Sequence, residues 1–343
     1  PKVLHCLGGK ELLRYPVELL GKVGIERIIV VVSPANQEAV KNLLGDSVEY
    51  AVQSSKTGTA GAVESAASLV GQQAMQVVVM GGDSPLIAKD SLNNLIEGHI
   101  EDSRQMSMLS GWVQDSLGLG RINRDQGGQR NVLSIVESND DGDRYGQQVE
   151  VNAGVYCFQA DWLWENLKQV QSSDGPERYL TDLAGIAANQ GGSVSAMPTN
   201  DASEVLGINN RVELAKLEEI QRRRICEHWM MEGVTITDPS SVMIDEDVLI
   251  GQDTVLLPNT MLIGNTTIGA NCEIGPGSMI KNSLVGDDCR VTLSMMESAV
   301  MEDKVGIGPF SHLRPGAYLE NGVHIGNYVE VKESRFAAGV VRN

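Results

Sequence analysis

Aliphatic residues recur at every sixth position from Ile244 to Ile280: Ile244, Ile250, Leu256, Leu262, Ile268, Ile274 and Ile280. The register returns at Ile307, Leu313, Leu319, Ile325 and Val331. An α-helix repeats every 3.6 residues and an isolated strand every two, so neither by itself accounts for a strict hexad. Short parallel strands stacked coil upon coil do account for it, and the pattern predicts a parallel β-helix over residues 234–343. Between Val285 and Met301 the aliphatics fall out of phase, which predicts a bulge or short loop there.

The first part of the chain reads differently. Ile28–Val32 and Val77–Met80 are continuous apolar runs, the mark of strands buried on both faces. Helical patterns lie between them, as at Asn36–Leu44 and Gly61–Leu69. Strand–helix alternation over residues 1–208 predicts an α/β domain with a mostly parallel, doubly wound sheet. Residues 209–233 read as a connecting arm. Asn209 or Asn210 can cap a long helix with a loose stripe of Val212, Leu214, Leu217, Ile220 and Ile225, and Gly233 is placed to end it.

Composition narrows the function. The chain has 343 residues and a formal net charge of −18, which disfavours nucleic acid and anionic membranes as partners. A phosphate ligand would need its own local cations. Aromatics are only 4%, in keeping with a core of stacked aliphatics. The five cysteines, Cys6, Cys157, Cys226, Cys272 and Cys289, show no metal or disulfide spacing and read as reduced thiols of a cytoplasmic protein. No stretch suits a membrane span or a signal peptide. The start at Pro1 and the stop at Asn343, with hexads still running, read as cuts.

Candidate chemistry centres on Val77–Met80 followed by Gly81-Gly82-Asp83-Ser84-Pro85. Ligands of open α/β sheets bind at the carboxyl ends of strands, and a carboxylate there can hold Mg²⁺. The same Asp83 could equally cap the turn after the strand. Asn209 could be a second metal ligand or a helix cap. The segment Gln53 to Thr59 precedes a helix start, where backbone N–H groups suit an anion or a base edge; a plain polar loop is the other reading. No Ser/His/Asp or Cys/His set stands out.

Pro1-Lys2-Val3-Leu4-His5, with Gly9-Lys10 after it, resembles the lysine-bearing segment of sugar-1-phosphate nucleotidyltransferases. The valine-leucine-histidine ending is most similar to the bacterial bifunctional N-acetylglucosamine-1-phosphate uridylyltransferase/glucosamine-1-phosphate N-acetyltransferase family. Further segments follow in that family's order: Gln53 with Thr57-Gly58-Thr59, Gly82 to Leu86, Gly118 to Ile122, Ile135-Val136-Glu137, Asn152-Ala153-Gly154, Tyr179 to Asp182 and Gly207 to Arg211. Gly233 to Pro239, Ile307 to Phe310, Leu313 to Ala317 and Gly326 to Lys332 continue the match, so the resemblance spans the chain.

This resemblance implies a Rossmann-like nucleotidyltransferase domain, an arm helix and a left-handed parallel β-helix. It also implies Mg²⁺-dependent uridylyl transfer from UTP to N-acetylglucosamine-1-phosphate, giving UDP-N-acetylglucosamine and pyrophosphate. Asp83 and Asn209 would hold the metal, and Lys2 would neutralise phosphate charge. Gln53, Gly58, Thr59, Gly81 and Gly82 would contact the uridine nucleotide. Gly120, Glu137, Asn152, Tyr179 and Thr181 would contact the sugar. Arg314 and Lys332 would bind the phosphate of glucosamine-1-phosphate for acetyl transfer from acetyl-CoA in the full-length parent, a homotrimer. Four departures qualify this. The family's glycine-rich loop and its acetyl-transfer histidine are absent, Leu119 stands where an aromatic is usual, and Gly81 where tyrosine is frequent. A monofunctional sugar nucleotidyltransferase with a regulatory β-helix, and a non-catalytic trimerising module, remain as alternatives.

Overall fold

The computed structural model describes residues 1–71, 74–114, 118–125, 131–137, 147–172 and 177–342. They form two compact units, residues 1–5 with 11–209 and residues 6–10 with 210–343. In chain order the elements are β1 (Cys6–Leu7), β2 (Lys10–Glu11), α1 (Arg14–Lys22), β3 (Ile29–Val32), α2 (Gln37–Leu44), β4 (Glu49–Val52), α3 (Gly58–Val70), β5 (Gln76–Met80) and α4 (Lys89–Glu101). There follow β6 (Met106–Gln114), β7 (Arg121–Arg124), β8 (Val132–Val136), β9 (Gln148–Gln159), α5 (Ala160–Asn166), α6 (Asp182–Asn189), β10 (Val194–Pro198) and α7 (Arg211–Met231).

In the first unit the apolar runs are strands that feed two cores at once. Val77 and Val79 of β5, Met106 and Met108 of β6, and Tyr156 and Phe158 of β9 pack with residues of α3, α5 and α6. Val78 and Met80, Leu109 and Val113, and Val155 and Cys157 point the other way, toward Leu92 and Leu95 of α4. The two-residue period of a strand explains why such runs are apolar throughout.

The sheet is mixed rather than mostly parallel. β6 pairs with β10 in parallel, while β3 and β4 form a separate two-stranded parallel sheet. β9 lies between β5 and β6 and runs antiparallel to both, while β7 and β8 form an antiparallel pair. No helix intervenes from β6 to β9 among the described residues, and strands joined without a crossover pair antiparallel.

Residues Cys6–Lys10, expected in the first domain, belong to the second unit. Gly8 N–H donates to the Glu218 carboxylate of α7 at 3.1 Å, Gly8 C=O accepts from Glu246 N–H at 2.8 Å, and Lys10 pairs with Asp247 at 3.2 Å. Asn210 caps α7, its Oδ1 accepting from Val212 and Glu213 N–H.

The hexads build three parallel sheets, of seven, six and six strands. Each inward residue sits over the one a coil later: Ile250 over Ile268, Leu256 over Ile274, Leu262 over Ile280. All these side chains are buried in one continuous core, each contributing roughly 1.5–3 kcal/mol. The out-of-phase stretch contains no inserted loop. Ile280, Val291 and Met296 are each followed by the next inward residue one position early, at Val285, Met296 and Met301, and the strand ladder runs on unbroken. The corners close with Asn282, Leu293 and Ser298 at φ 48°, 42° and 45°. A shortened corner and an insertion disturb the repeat alike, so the phase shift alone did not distinguish them.

Buried hydroxyls and thiols tie the coils together at the corners. Ser311 Oγ donates to Gly326 C=O at 2.6 Å and accepts from Val329 N–H at 3.2 Å. Thr254 does the same with Gly269 C=O and Cys272 N–H, and the Cys272 thiol with Gly286 C=O and Cys289 N–H. Each satisfies backbone groups that the strands leave unpaired at a bend.

Candidate active site

β5 ends at Met80, and two glycines carry the chain to Asp83, whose carboxylate pairs with the Lys2 ammonium. Lys2 Nζ also donates to Asn209 Oδ1 at 3.1 Å. One cation is therefore shared by oxygens from two distant segments of the first unit. The neighbouring asparagine is committed to capping, so Asn209 is the one that faces Lys2. Among the described residues no group of three or more His, Cys, Asp or Glu could hold a metal. A site of one carboxylate and one amide oxygen suits Mg²⁺, which fills its shell with water and phosphate oxygens. The convergence of both oxygens on one ammonium shows that they can face a common cation.

The Gln53–Thr59 segment is a clasped loop. Gln53 Nε2 donates to Thr57 Oγ1 at 3.1 Å and to Gly58 C=O at 3.0 Å, which leaves the amide oxygen as the acceptor it can offer. Arg178 N–H donates to Thr57 C=O, and Ala60 N–H to Arg178 C=O, both at 3.0 Å. Gly58 has φ 77°, and a Cβ on it would lie 2.3 Å from the Arg178 carbonyl oxygen. Only glycine fits there. The Thr59 hydroxyl accepts from Leu180 N–H at 2.8 Å, so its oxygen is engaged by the protein and its proton is what it can give.

A second group gathers around Glu137. Thr181 Oγ1 donates to Glu137 Oε1 at 2.8 Å, and the Glu137 carboxylate lies against Gly120. Gly120 C=O accepts from Asn152 N–H at 2.8 Å. Gly120, Glu137, Asn152 and Thr181, spread over the sequence, thus form one cluster. Tyr179 is half-buried in the segment that clasps the loop, and its hydroxyl is directed to Glu177 at 3.5 Å. Tyr156 and Arg178 also belong to this region, and neither lies in one of the short sequence motifs. The clue to Tyr156 was strand parity, since alternate residues of β9 share a face.

In the β-helix unit, Arg314 Nη1 donates to Glu330 Oε1 at 2.7 Å. The guanidinium holds the Glu330 carboxyl below the usual range, with His312 and Lys332 adding to the effect, and Arg314 is raised in return. Arg314 is thus bonded to the Glu330 carboxylate, and the Lys332 charge acts on the same group. His312 Nε2 lies 3.0 Å from Glu297.

Residues 1–230 match the nucleotidyl transferase family, and residues 247–282 the bacterial transferase hexapeptide (six repeats) family. The chain is thus a nucleotidyltransferase carrying hexapeptide repeats. The chain is 42% identical to the bifunctional protein GlmU of Exiguobacterium sibiricum, over 98% of this chain and 75% of that protein. Identity is 38% to the GlmU of Halalkalibacterium halodurans, covering 97% and 73%, and 39% to that of Streptococcus mutans, covering 97% and 72%. The chain belongs to the GlmU family of bifunctional proteins. Among the described residues no helix is long and apolar enough to cross a membrane.

Proposed function

We propose that the first unit transfers a uridylyl group from UTP to N-acetylglucosamine-1-phosphate, releasing pyrophosphate and forming UDP-N-acetylglucosamine. The observation that carries this is the meeting of Lys2, Asp83 and Asn209 at the carboxyl end of β5. Asp83 and Asn209 would hold Mg²⁺, which when bound supplies charge neutralisation at the transferring phosphate. Lys2 adds a positive charge for the phosphate oxygens. Gln53 presents a carbonyl to the uracil N–H, and Gly58 and Thr59 shape that edge. Gly81 and Gly82 let the nucleotide approach the backbone. Gly120, Glu137, Asn152, Tyr179 and Thr181 receive the sugar. The acceptor phosphate is already ionised and attacks in line, so positioning and charge are what the protein must supply. The decisive assay is pyrophosphate release from UTP and N-acetylglucosamine-1-phosphate by the longest product the gene encodes. Absence of release, or equal use of ATP with glucose-1-phosphate, sinks the reading.

The β-helix carries a second proposed role. Arg314 pairs with the Glu330 carboxylate and the Lys332 charge acts on it too, and two such cations suit the phosphate of glucosamine-1-phosphate for acetyl transfer from acetyl-CoA. The proposed assembly is a homotrimer. Met243, Met261, Met279 and Met295 stack on the outer side of one sheet, with Met243 and Met295 exposed, and such an apolar line on an acidic protein calls for cover. Met295→Glu should lower the mass measured by light scattering; an unchanged mass removes this surface from the interface.

A further inference from the structure

Strand β9 is irregular at the point where it carries Asn152. Met108 and Ser110 of β6 face Tyr156 and Asn152 of β9, so β9 takes twice as many residue steps as its partner there. Gly154, at φ 70°, makes that bulge. The bulge lies beside the end of β5, where Met80 pairs with Val155. It draws Asn152 and Tyr156, which share a face by parity, closer together, and the Asn152 side chain spans the gap. Asn152 Oδ1 accepts from Gly154 N–H at 3.0 Å, and Nδ2 donates to Tyr156 Oη at 2.6 Å.

These two contacts fix which way the amide points. A backbone N–H can only donate, so the atom facing Gly154 is the oxygen. The nitrogen must then face the Tyr156 phenol. Tyr156 is buried, its ring stacks on Phe158 at 5.8 Å, and burial and the nearby Glu137 carboxylate push the phenol above its usual range. It therefore stays a neutral hydroxyl at any working pH. Nδ2 carries a second hydrogen, and that hydrogen is what the amide can give to an acceptor on a ligand.

We infer that Tyr156 is a positioning residue: with the Gly154 N–H setting which end of the Asn152 amide is oxygen, the Tyr156 hydroxyl fixes the amide plane and aims its second N–H at the sugar. This deepens the acceptor reading above: it requires a hydrogen-bond acceptor on the sugar, such as the acyl oxygen of a 2-acetamido group or a hydroxyl oxygen. Freed from Tyr156, the amide keeps only its Gly154 contact, Nδ2 loses the acceptor that holds the amide plane, and its second hydrogen is no longer aimed at the ligand.

Tyr156→Phe keeps the ring and removes only the hydroxyl. Side-chain amide NMR of the ligand-free protein reads the orientation directly. In the native protein the Asn152 amide protons should be well separated, with one exchanging slowly; in Tyr156→Phe the separation and the protection should collapse. An unchanged Asn152 signal overturns the inference whatever the protein binds. Calorimetry with N-acetylglucosamine-1-phosphate and with UTP then separates positioning from mere support of the bulge. The variant should bind the sugar phosphate about tenfold more weakly and UTP within about twofold of native. Equal weakening of both ligands, or a lowered melting temperature with native sugar affinity, means that the hydroxyl only staples the strand. If the native protein binds UTP and no sugar phosphate, the acceptor reading fails while the NMR result still decides the amide.

Discussion

Lys2 Nζ donates to Asn209 Oδ1 across 3.1 Å while paired to Asp83, so an ammonium stands between the two oxygens proposed for Mg²⁺. Asp83→Ala removes the carboxylate from a half-exposed position and leaves the strand core untouched. Turnover should fall at least about a hundredfold, as for loss of a group that acts on transition-state charge. The melting temperature should stay within a few degrees. Retention of full pyrophosphate release would refute the metal assignment.

Gly58 and Arg178 touch backbone to backbone. In Gly58→Ala the new Cβ must be accommodated against a carbonyl oxygen 2.3 Å away, with φ at 77°. Neither partner is the free end of a side chain, so the clasp must open. The expected cost is about 1–3 kcal/mol of stability, together with a raised KM for UTP. Denaturant titration and steady-state kinetics check the two effects separately.

His99 should make the first unit acid-sensitive. Its Nδ1 and Nε2 lie 2.9 Å from Ser107 Oγ and Gln76 Oε1, and it is wholly buried. Burial, reinforced by Arg104, lowers its pKa to about 4 from the usual 6.5. The unfolded chain therefore takes up the proton first as pH falls. Stability held by the neutral ring is complete above about pH 6.5 and drains away toward pH 4, by about 2 kcal/mol between pH 7 and pH 5. His99→Gln should be less stable at pH 7 and show a flatter pH dependence in urea melts. A native slope in the variant would point to other groups.

The corner hydroxyls should matter more than their size suggests. Ser311→Ala strands Gly326 C=O and Val329 N–H in a buried bend. The expected loss is about 1–3 kcal/mol, against near zero for Ser240→Ala at an exposed turn. Thermal melts of the pair make the comparison, and equal midpoints would show that the ladder stands on its aliphatics alone.

The hexad made the β-helix legible because its interior repeats: every sixth side chain meets the same environment, and the chain writes that regularity openly. The apolar runs of β3 and β5 were legible for the same reason. The direction of β9 was not, because pairing direction depends on connections and neighbours rather than on the composition of a strand. Candidate residues of the site could be named from short motifs and their order. Which of them meet was decided only by folding. Lys2 reaches Asp83 and Asn209, and Thr181 reaches Glu137, across sequence separations that no local pattern encodes. That Asn210 rather than Asn209 is the helix cap was decided by helix geometry, since a cap needs its oxygen over the first turn. Tyr156 shows the same division. Its parity with Asn152 was written in the sequence, but the bulge that brings the two side chains together exists only where β9 is pressed between β5 and β6.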